Sequence, residues 1–387
     1  MESLLELPTP ALLIEHSRMM RNLDRMQELA NAQSCDLRPH TKTHKSVDLA
    51  ARQIEKGASG LTVAKVGEAE VYVDHGFEDI FLAYAVIGEE KYRRLLNLMG
   101  RATISFCVDT LEGARQAGQF FSSAGNDASV VVEVDAGYHR CGLPWDSNEI
   151  VQLCQQVDKS PGLRFQGIMT HAGHSYKGPS SDSETHRQAL ERVASEERDR
   201  MIELADRLAQ EGLKPAVVSI GSTPTMSAFE NRTSSDGQTI TEIRPGNYIF
   251  NDAIQVGLGV ASLEECALTV LATVISVQAD SNGRERLFLD AGKKIFTSDT
   301  GYGTDGYGTL LYNARTMTKL PHATLHSLSE EHGWVSVSGA ATFDVGDRVR
   351  VVPNHACVVM NNQPQVFMVD GQDIVGKIRV DAINRVV

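Results

Sequence analysis

Cationic side chains crowd one short segment, CDLRPHTKTHKS, at residues 35 to 46. Lys42 stands there among Arg38, His40, His44 and Lys45. A lysine amine attacks a carbonyl group only when it is neutral, and burial or a cationic neighbour lowers its pKa toward that state. These neighbours suit that task, so Lys42 is a candidate for a covalent bond to a carbonyl compound. The spacing alone also allows Lys42 and Lys45 to be solvated loop charges.

Two glycine-bearing stretches, GSTPT at 221–225 and RPGNY at 244–248, are typical of a phosphate site. Glycine lets backbone N–H groups approach an anion, hydroxyl groups add donors, and a following helix adds positive potential. The predicted phosphate cup comprises Gly221, Ser222, Thr223, Gly246 and Asn247. Either stretch alone could be an ordinary turn. A lysine with a phosphate cup indicates pyridoxal 5'-phosphate (PLP), with phosphorylated-sugar aldolases as the alternative class of enzyme.

A third candidate site is the pair His355 and Cys357, in VPNHACVV at residues 352–359. The run is strand-like, and side chains two apart in a strand point to the same face. Imidazole and thiolate are zinc ligands, so the pair predicts half of a zinc site whose other positions belong to water or substrate. The alternative is that this H-x-C pair lies in an ordinary β-strand and packs in the protein core.

The elements that position these residues alternate between strand-like and helical periods through the first two-thirds of the chain. Eight short strand-like runs are predicted as strands, at 35–41, 60–65, 79–84, 103–109, 129–135, 164–170, 216–221 and 242–250. Repeated strand–helix alternation predicts a closed parallel (β/α)8 barrel, with an open doubly wound sheet as the alternative. Barrel active sites form where strands end, and polar residues follow several of these runs: Lys42, Arg140, His171 and Tyr176.

After about residue 262 the sequence becomes rich in β-branched runs separated by turns, which predicts a C-terminal antiparallel β domain. We therefore predict a barrel domain over 9–262, and a β domain over 263–387 that includes residues 1–8 and carries the metal pair. The net charge of −13 disfavours nucleic acid and anionic membranes as partners. Six scattered cysteines and an N-terminus without a secretory pattern predict a cytoplasmic protein.

Taken in order, the motifs RPHTK, DAGYHRCG, THAGHSY, GSTPT, RPGNY and PNHAC resemble the D-serine dehydratase and D-threonine aldolase family, PLP enzymes of the alanine-racemase type. The resemblance runs from about Thr9 into the C-terminal domain. It implies that Lys42 bonds the cofactor, Arg140 approaches its phenolic oxygen, His171 lies beside its ring and Tyr176 lies near its pyridine nitrogen. Arg244 is ambiguous, because relatives vary at the residue that faces that nitrogen.

The metal pair favours one branch of that family. Its dehydratases resemble H-x-C at this place and its aldolases H-x-D, and this chain has His355-Ala356-Cys357. The resemblance therefore implies elimination of water from D-serine, D-threonine or D-threo-3-hydroxyaspartate, with a divalent metal, zinc before manganese or cobalt. It also implies a homodimer. The alternatives are an aldolase, a racemase with Tyr302 or Tyr307 as second base, and a non-catalytic PLP carrier. His174, Tyr176 and the 290–308 loop are candidate walls of the substrate pocket.

Overall fold

The computed structural model describes residues 3–279, 285–313, 317–320, 322–338 and 343–387, so the predicted N-terminal part of the β domain is described from residue 3. The strands of these ranges are, in chain order, β1 Ala11–Glu15, β2 Asp36–Leu37, β3 Leu61–Val63, β4 Asp79–Ala85, β5 Thr103–Val108, β6 Ala128–Asp135, β7 Leu143–Pro144, β8 Leu163–Met169, β9 Val217–Ile220, β10 Glu242–Ile243, β11 Leu268–Ala279, β12 Glu285–Leu289, β13 Gly308–Asn313, β14 Thr318–Lys319, β15 Ala323–Leu328, β16 Gly333–Val337, β17 Arg348–Pro353, β18 Gln365–Asp370 and β19 Asp373–Arg379.

The α-helices of the same ranges are α1 His16–Ala32, α2 Val47–Glu55, α3 Val66–Asp74, α4 Glu89–Met99, α5 Leu111–Ser123, α6 Asn148–Lys159, α7 His186–Gln210, α8 Thr223–Met226, α9 Ala253–Gly257, α10 Lys293–Phe296 and α11 Ala356–Met360. Short 3-10 helices lie at Leu4–Glu6, Thr41–Thr43, Gly173–Lys177, Asn247–Ile249 and Leu263–Glu265. Two of these, at Thr41 and Gly173, follow barrel strands and carry predicted site residues.

The predicted barrel of eight parallel strands is confirmed. The strands follow the order β2-β10-β9-β8-β6-β5-β4-β3, and a parallel bridge between His40 and Thr62 closes the ring. The strands predicted at 35–41 and 242–250 are much shorter than expected, because Pro39 and Pro245 have no N–H group to donate. The carbonyl of Pro39 still accepts from the N–H of Thr62 at 2.9 Å, and the carbonyl of Pro245 accepts from the N–H of His40 at 3.0 Å. Hydrogen bonding between neighbouring barrel segments therefore continues into the loops.

Parallel barrel strands are apolar because both of their faces are covered. One interior layer packs Phe81, Cys107, Val131 and Met169 against each other. Outside, α7 buries a stripe of residues at helical spacing, which includes Ala194, Met201 and the carboxyl of Glu197. A carboxyl in a buried stripe needs hydrogen-bond partners. Glu197 accepts hydrogen bonds from backbone N–H groups at the barrel mouth.

The second sheet has the order β14-β13-β17-β11-β1-β18-β19, with β12, β15 and β16 branching from β11. Its strands are mostly antiparallel, as predicted, but the sheet is mixed because β1 pairs parallel with β18. The N-terminal strand β1 thus lies between two strands of the C-terminal region, with β11 on its other side. Arg350 is fully buried in this unit, where it pairs with Glu15 at 3.4 Å and donates to Thr269.

By contacts, the chain forms two compact units. One comprises the chain up to Asp24, Thr43–Leu49 and Asn247–Ile383, and the other comprises Arg25–Lys42, Ala50–Gly246 and Asn384–Val387. The domain boundary near residue 262 stays a prediction. Within the described ranges, no helix is both long enough and apolar enough to cross a bilayer.

The predicted strand over 352–359 is wrong in its second half. Strand β17 ends at Pro353, His355 precedes α11 with extended dihedral angles, and Cys357 lies inside that short helix. Asn354 donates to the carbonyls of Asp299 and Gly306, which draws the chain out of the sheet. His355 and Cys357 are therefore not paired by strand alternation.

Candidate active site

Lys42 lies in the 3-10 helix Thr41–Thr43, just beyond the end of β2, and is half-buried. Its backbone N–H faces the Nδ1 atom of His40 at 3.4 Å. Burial, followed by the positive charge of Lys42, lowers the pKa of His40 well below its ordinary value. The imidazole is therefore neutral, and it can accept a hydrogen bond from the Lys42 backbone.

His171 follows β8, and its Nδ1 atom lies 3.0 Å from the carbonyl oxygen of Gly221, at the end of β9. Burial and the charge of Lys42 lower the pKa of His171 to about 3, with smaller contributions from Arg140 and Arg244. His171 is consequently neutral, with its proton on Nδ1 toward Gly221. Lys42, Arg140 and Arg244 therefore all lie close enough to His171 to lower its pKa.

Tyr138 connects Arg140 to His171. Its ring meets the His171 imidazole edge-on, with centroids 5.8 Å apart, and the Arg140 guanidinium carbon lies 5.4 Å from the Tyr138 centroid. Arg140 also approaches Glu133, at 3.9 Å. A small cavity at the ends of β6 and β8 is lined by Glu133, Tyr138, Arg140, Cys141, Thr170 and His171.

Arg244 is buried inside the barrel mouth. It donates to the carbonyl of Thr170 at 2.6 Å and also to the hydroxyl of Ser219. Burial lowers the pKa of this guanidinium, while Glu242 is the largest opposing influence. Since its donors are directed at barrel groups, Arg244 braces the ends of β8 and β9.

Gly221 adopts φ +134°, and a Cβ atom there would lie 2.8 Å from the backbone nitrogen of Arg244. Its own N–H donates to Oε1 of Glu197 at 3.0 Å, and its place in the phosphate cup stays a prediction. Glu197 Oε1 also accepts from the N–H of Ala172 at 3.1 Å. The role of Gly221 is thus the turn and the close backbone approach that a side chain would block.

Three hydroxyl groups form a buried chain beside Gly221. Ser175 Oγ lies 3.0 Å from Ser222 Oγ, which lies 3.1 Å from Thr225 Oγ1. Thr225 Oγ1 lies 3.2 Å from Oε2 of Glu197. Thr223, the first residue of α8, is buried next to this chain. Tyr176 is half-buried in the same 3-10 helix as Ser175, and Gly246 follows Pro245 after β10.

The remaining predicted residues belong to the other unit, which we describe by itself. Asn247 is buried, and its Nδ2 donates to Oδ2 of Asp252. The Nδ1 atom of His355 lies 2.7 Å from Oδ2 of Asp299, and Cys357 Sγ lies 3.3 Å from Thr43 Oγ1.

Burial by itself lowers the pKa of His355. The neighbouring Cys357, Asp252 and Asp299 have the larger combined effect and raise this pKa to about 10. These contacts place an imidazole, a thiol and two carboxyls in one region. In the described part of the chain, however, no group of three or more His, Cys, Asp or Glu side chains is arranged to hold a metal ion.

Both sets of residues fit the groups expected of them. At the barrel mouth, an amine and a chain of buried hydroxyl groups suit a phosphate-bearing aldehyde such as PLP. In the other unit, Asp299 occupies Nδ1 of His355, which orients Nε2 for a metal as carboxylate partners of metal-binding histidines do. His355 and Cys357 supply two protein ligands, and further ligands would be water or substrate.

Two family models match separate parts of the chain. Residues 14–253 match the model of the alanine racemase N-terminal domain, and residues 267–369 match a putative serine dehydratase domain. The chain is 36% identical over 385 residues to the D-threo-3-hydroxyaspartate dehydratase of Delftia sp. strain HT23, covering 96% of this chain and 97% of that enzyme. The chain belongs to the D-serine dehydratase and D-threonine aldolase family.

Other members of the family are similar along nearly the whole chain. A D-threonine aldolase of Arthrobacter sp. is 32% identical over 367 residues, 93% of this chain and 88% of that enzyme. The solved structure of the Delftia dehydratase superposes with a TM-score of 0.87 and 33% identity, covering 98% of this chain and 99% of that one. Further structures of it are a histidine-to-alanine variant and a metal-free cysteine-to-alanine variant, at the same TM-score.

Three residues at these sites were not predicted from the sequence. Asp299 lies in the 290–308 loop, which was predicted only as a candidate wall of the substrate pocket, and Tyr138 stands inside the quoted motif DAGYHRCG without having been singled out. Glu197 had a usable signal, because it shares the helical spacing of Ala194 and Met201 in a segment that otherwise reads as charged.

Proposed function

We propose that this family member is a PLP-dependent lyase that eliminates water from a D-3-hydroxyamino acid to give a 2-oxo acid and ammonia. The observation that carries the proposal is the cluster at the barrel mouth, where Lys42, neutral His171 and the Gly221 turn lie beside the buried hydroxyl chain. The similarity to a dehydratase over 96% of the chain supports the same reaction.

When bound, PLP supplies an electron sink that makes loss of the Cα proton feasible. Lys42 Nζ would hold the cofactor, and the same amine, when neutral, would take the substrate Cα proton as a general base. Neutral His171 would lie beside the cofactor without adding charge, because its Nδ1 proton is directed to Gly221. Arg140, supported by the Tyr138 ring, is positioned to meet an anionic oxygen.

A divalent metal would supply the second requirement, because hydroxide is a poor leaving group without a Lewis acid. We propose that Nε2 of His355 and Sγ of Cys357 hold it, with zinc preferred over manganese or cobalt. Support comes from the Delftia dehydratase, whose substituted histidine and cysteine are two positions apart, the spacing of His355 and Cys357. The contact of His355 with Asp299 supports the same assignment.

Cleavage of the Cα–Cβ bond, as in D-threonine aldolase, is the second candidate, favoured by 32% identity to that enzyme. We prefer the dehydratase because Cys357 stands where the aldolases of the family resemble aspartate. A racemase would need a second base such as Tyr302 or Tyr307, and a PLP carrier would need no metal pair.

The test is product analysis with the purified enzyme, PLP and zinc, on D-serine, D-threonine and D-threo-3-hydroxyaspartate. We expect equal amounts of 2-oxo acid and ammonia from at least one of them, and no turnover of the L-enantiomers. Glycine with an aldehyde would establish the aldolase instead, and the L-enantiomer of the substrate would establish a racemase. Absence of any product would favour the carrier.

We also propose that the enzyme works in the cytoplasm as a homodimer. All six cysteines are unbridged in the structure, as in a reducing compartment. The homodimer rests on the family resemblance, and sedimentation of the purified protein would test it.

A further inference from the structure

Glu197 joins the two loops that the proposed cofactor site depends on. Its side chain is fully buried, and Oε1 accepts from the N–H of Ala172 and of Gly221, at 3.1 and 3.0 Å. Oε2 faces the hydroxyl of Thr225 at 3.2 Å. No part of the proposed reaction uses this carboxyl. Burying a carboxyl is nevertheless costly unless the acid is neutral or fully hydrogen-bonded.

The protonation of Glu197 sets the direction of the hydroxyl chain, because each hydroxyl has a single proton to donate. If Glu197 is ionised, Oε2 takes the proton of Thr225, and Thr225 in turn accepts from Ser222 at 3.1 Å. The Ser222 proton is then directed inward. If Glu197 is neutral, its proton and the N–H of Ser222, at 3.4 Å, fill both acceptor positions of Thr225 Oγ1, which can then donate to the Ser222 carbonyl at 3.1 Å. The Ser222 proton is then available to an outside anion when the Ser175 hydroxyl, 3.0 Å away, donates to Ser222 Oγ.

We propose that Glu197 is a positioning residue that takes up one proton when the cofactor phosphate binds, and that this releases the Ser222 hydroxyl to donate to the phosphate. The inference rests on the proposed PLP function. A phosphate beside Ser222 would add negative charge near a buried carboxyl, and like charges in a poorly solvated site favour the neutral acid. Oε1 keeps both backbone donors in either state, so the loops stay joined.

The surroundings leave Glu197 able to change state near neutral pH. Burial raises its pKa to about 7, against the hydrogen bond from Gly221 and the positive charge of Arg244. His171 stays neutral because its pKa is about 3, and burial also lowers the pKa of His174. Helix α8 carries no titratable side chain, and on α7 the neighbouring Glu196 pairs with Arg200 at 3.3 Å.

Glu197→Gln is the decisive variant, because an amide reproduces the neutral acid: its oxygen accepts from both N–H groups and its NH2 donates to Thr225. The matched control is Glu203→Gln, which removes the same charge from an exposed position of α7. PLP is titrated calorimetrically into each apoenzyme at about pH 8, about one unit above the pKa of Glu197 in the apoenzyme. Each titration is run in two buffers of different ionisation enthalpy. The buffer dependence gives the protons taken up on binding.

We expect the wild type and Glu203→Gln to take up about one proton more per PLP than Glu197→Gln, which should bind PLP at least as tightly. Above about pH 7 the wild-type affinity should fall up to about tenfold per pH unit relative to Glu197→Gln. Proton changes at Lys42 or the phosphate are common to all variants and cancel in the difference.

Equal proton uptake in the wild type and Glu197→Gln, or loss of PLP binding by the amide variant, would overturn the inference. Infrared difference spectra of the wild type give an independent readout if the variant does not fold. A carboxylic acid band should appear on adding PLP, and its absence would also overturn the inference. A wild type that binds no PLP would overturn the proposed function as well, whereas binding without proton uptake overturns this inference alone.

Discussion

The Nδ1 atom of His171 lies 3.0 Å from the carbonyl oxygen of Gly221, and this contact joins the ends of β8 and β9. It fixes the tautomer of the imidazole, because a carbonyl can only accept. Gly221 accepts from His171 through its carbonyl and donates to Glu197 through its N–H. One glycine therefore holds a proposed cofactor-contacting side chain and the buried carboxyl behind it.

Gly221→Ala should be strongly destabilising. The φ of +134° is unfavourable for alanine, and the new Cβ would meet the Arg244 nitrogen at 2.8 Å. We expect a loss of about 2–4 kcal/mol in the free energy of unfolding, with weaker PLP binding. The control is Gly237→Ala, where φ is +82° but no atom lies within 4 Å, so only about 1–2 kcal/mol should be lost. Equal losses in chemical denaturation would contradict the packing argument.

Arg244→Met should cost about 3–5 kcal/mol of stability, because buried acceptors and carboxylates lose their cation. Arg244 donates to Thr170 and Ser219, and its field reaches Glu197. Arg101→Met removes an exposed pair with Asp74 and should cost less than about 1 kcal/mol. Urea denaturation of both variants checks this, and a small effect of Arg244→Met would mean that the guanidinium does not brace the barrel.

His171 should make stability depend on pH below neutrality. Its folded pKa is about 3, below the ordinary value of about 6.5. Between those values the unfolded chain binds a proton at this residue and the folded chain does not, so stability is lost as the pH falls from about 6.5 toward 3. Above about 6.5 both states are neutral and the contribution is absent.

The measurement is the free energy of unfolding at about pH 7 and about pH 5. We expect the wild type to lose more stability over this interval than His171→Gln. His186→Gln, which alters an exposed histidine, should behave as the wild type. A wild type and His171→Gln with the same pH dependence would show that His171 is charged in the folded state.

Asp299 should control metal affinity through His355, whose Nδ1 it holds at 2.7 Å. Loss of such a partner typically weakens metal binding 10–100-fold. We expect Asp299→Ala to show that loss in titrations against a competing zinc chelator, with unchanged PLP content. Asp305→Ala, on the same loop but exposed, is the control. Unchanged zinc affinity in Asp299→Ala would argue against His355 as a ligand.

Sequence periodicity predicted the barrel well, because most of its strands are short apolar runs that alternate with helical segments along the chain. It overestimated β2 and β10, where Pro39 and Pro245 end the regular ladder early. The parallel pairing of β1 with β18 joins residues more than 350 apart, for example Leu13 with Phe367, and no local pattern encodes such a partner.

The site was predictable in its motifs but not in its supporting contacts. Lys42 and His171 stand where strands end, and that rule located them. The helix at His355 depends on Asn354 and on the distant Asp252, which accepts from the N–H of Ala356, so tertiary contacts overrode the strand-like sequence. Glu197 could have been found from its position in a buried helical stripe.

The most direct test of the account is to locate the cofactor bond. Holoenzyme reduced with borohydride and digested should carry a pyridoxyl group on Lys42, as found by peptide mass spectrometry. Lys42→Ala should lose that label and all turnover, whereas Lys45→Ala, three residues away, should keep both. A pyridoxyl group on another lysine, or none at all, would contradict the account.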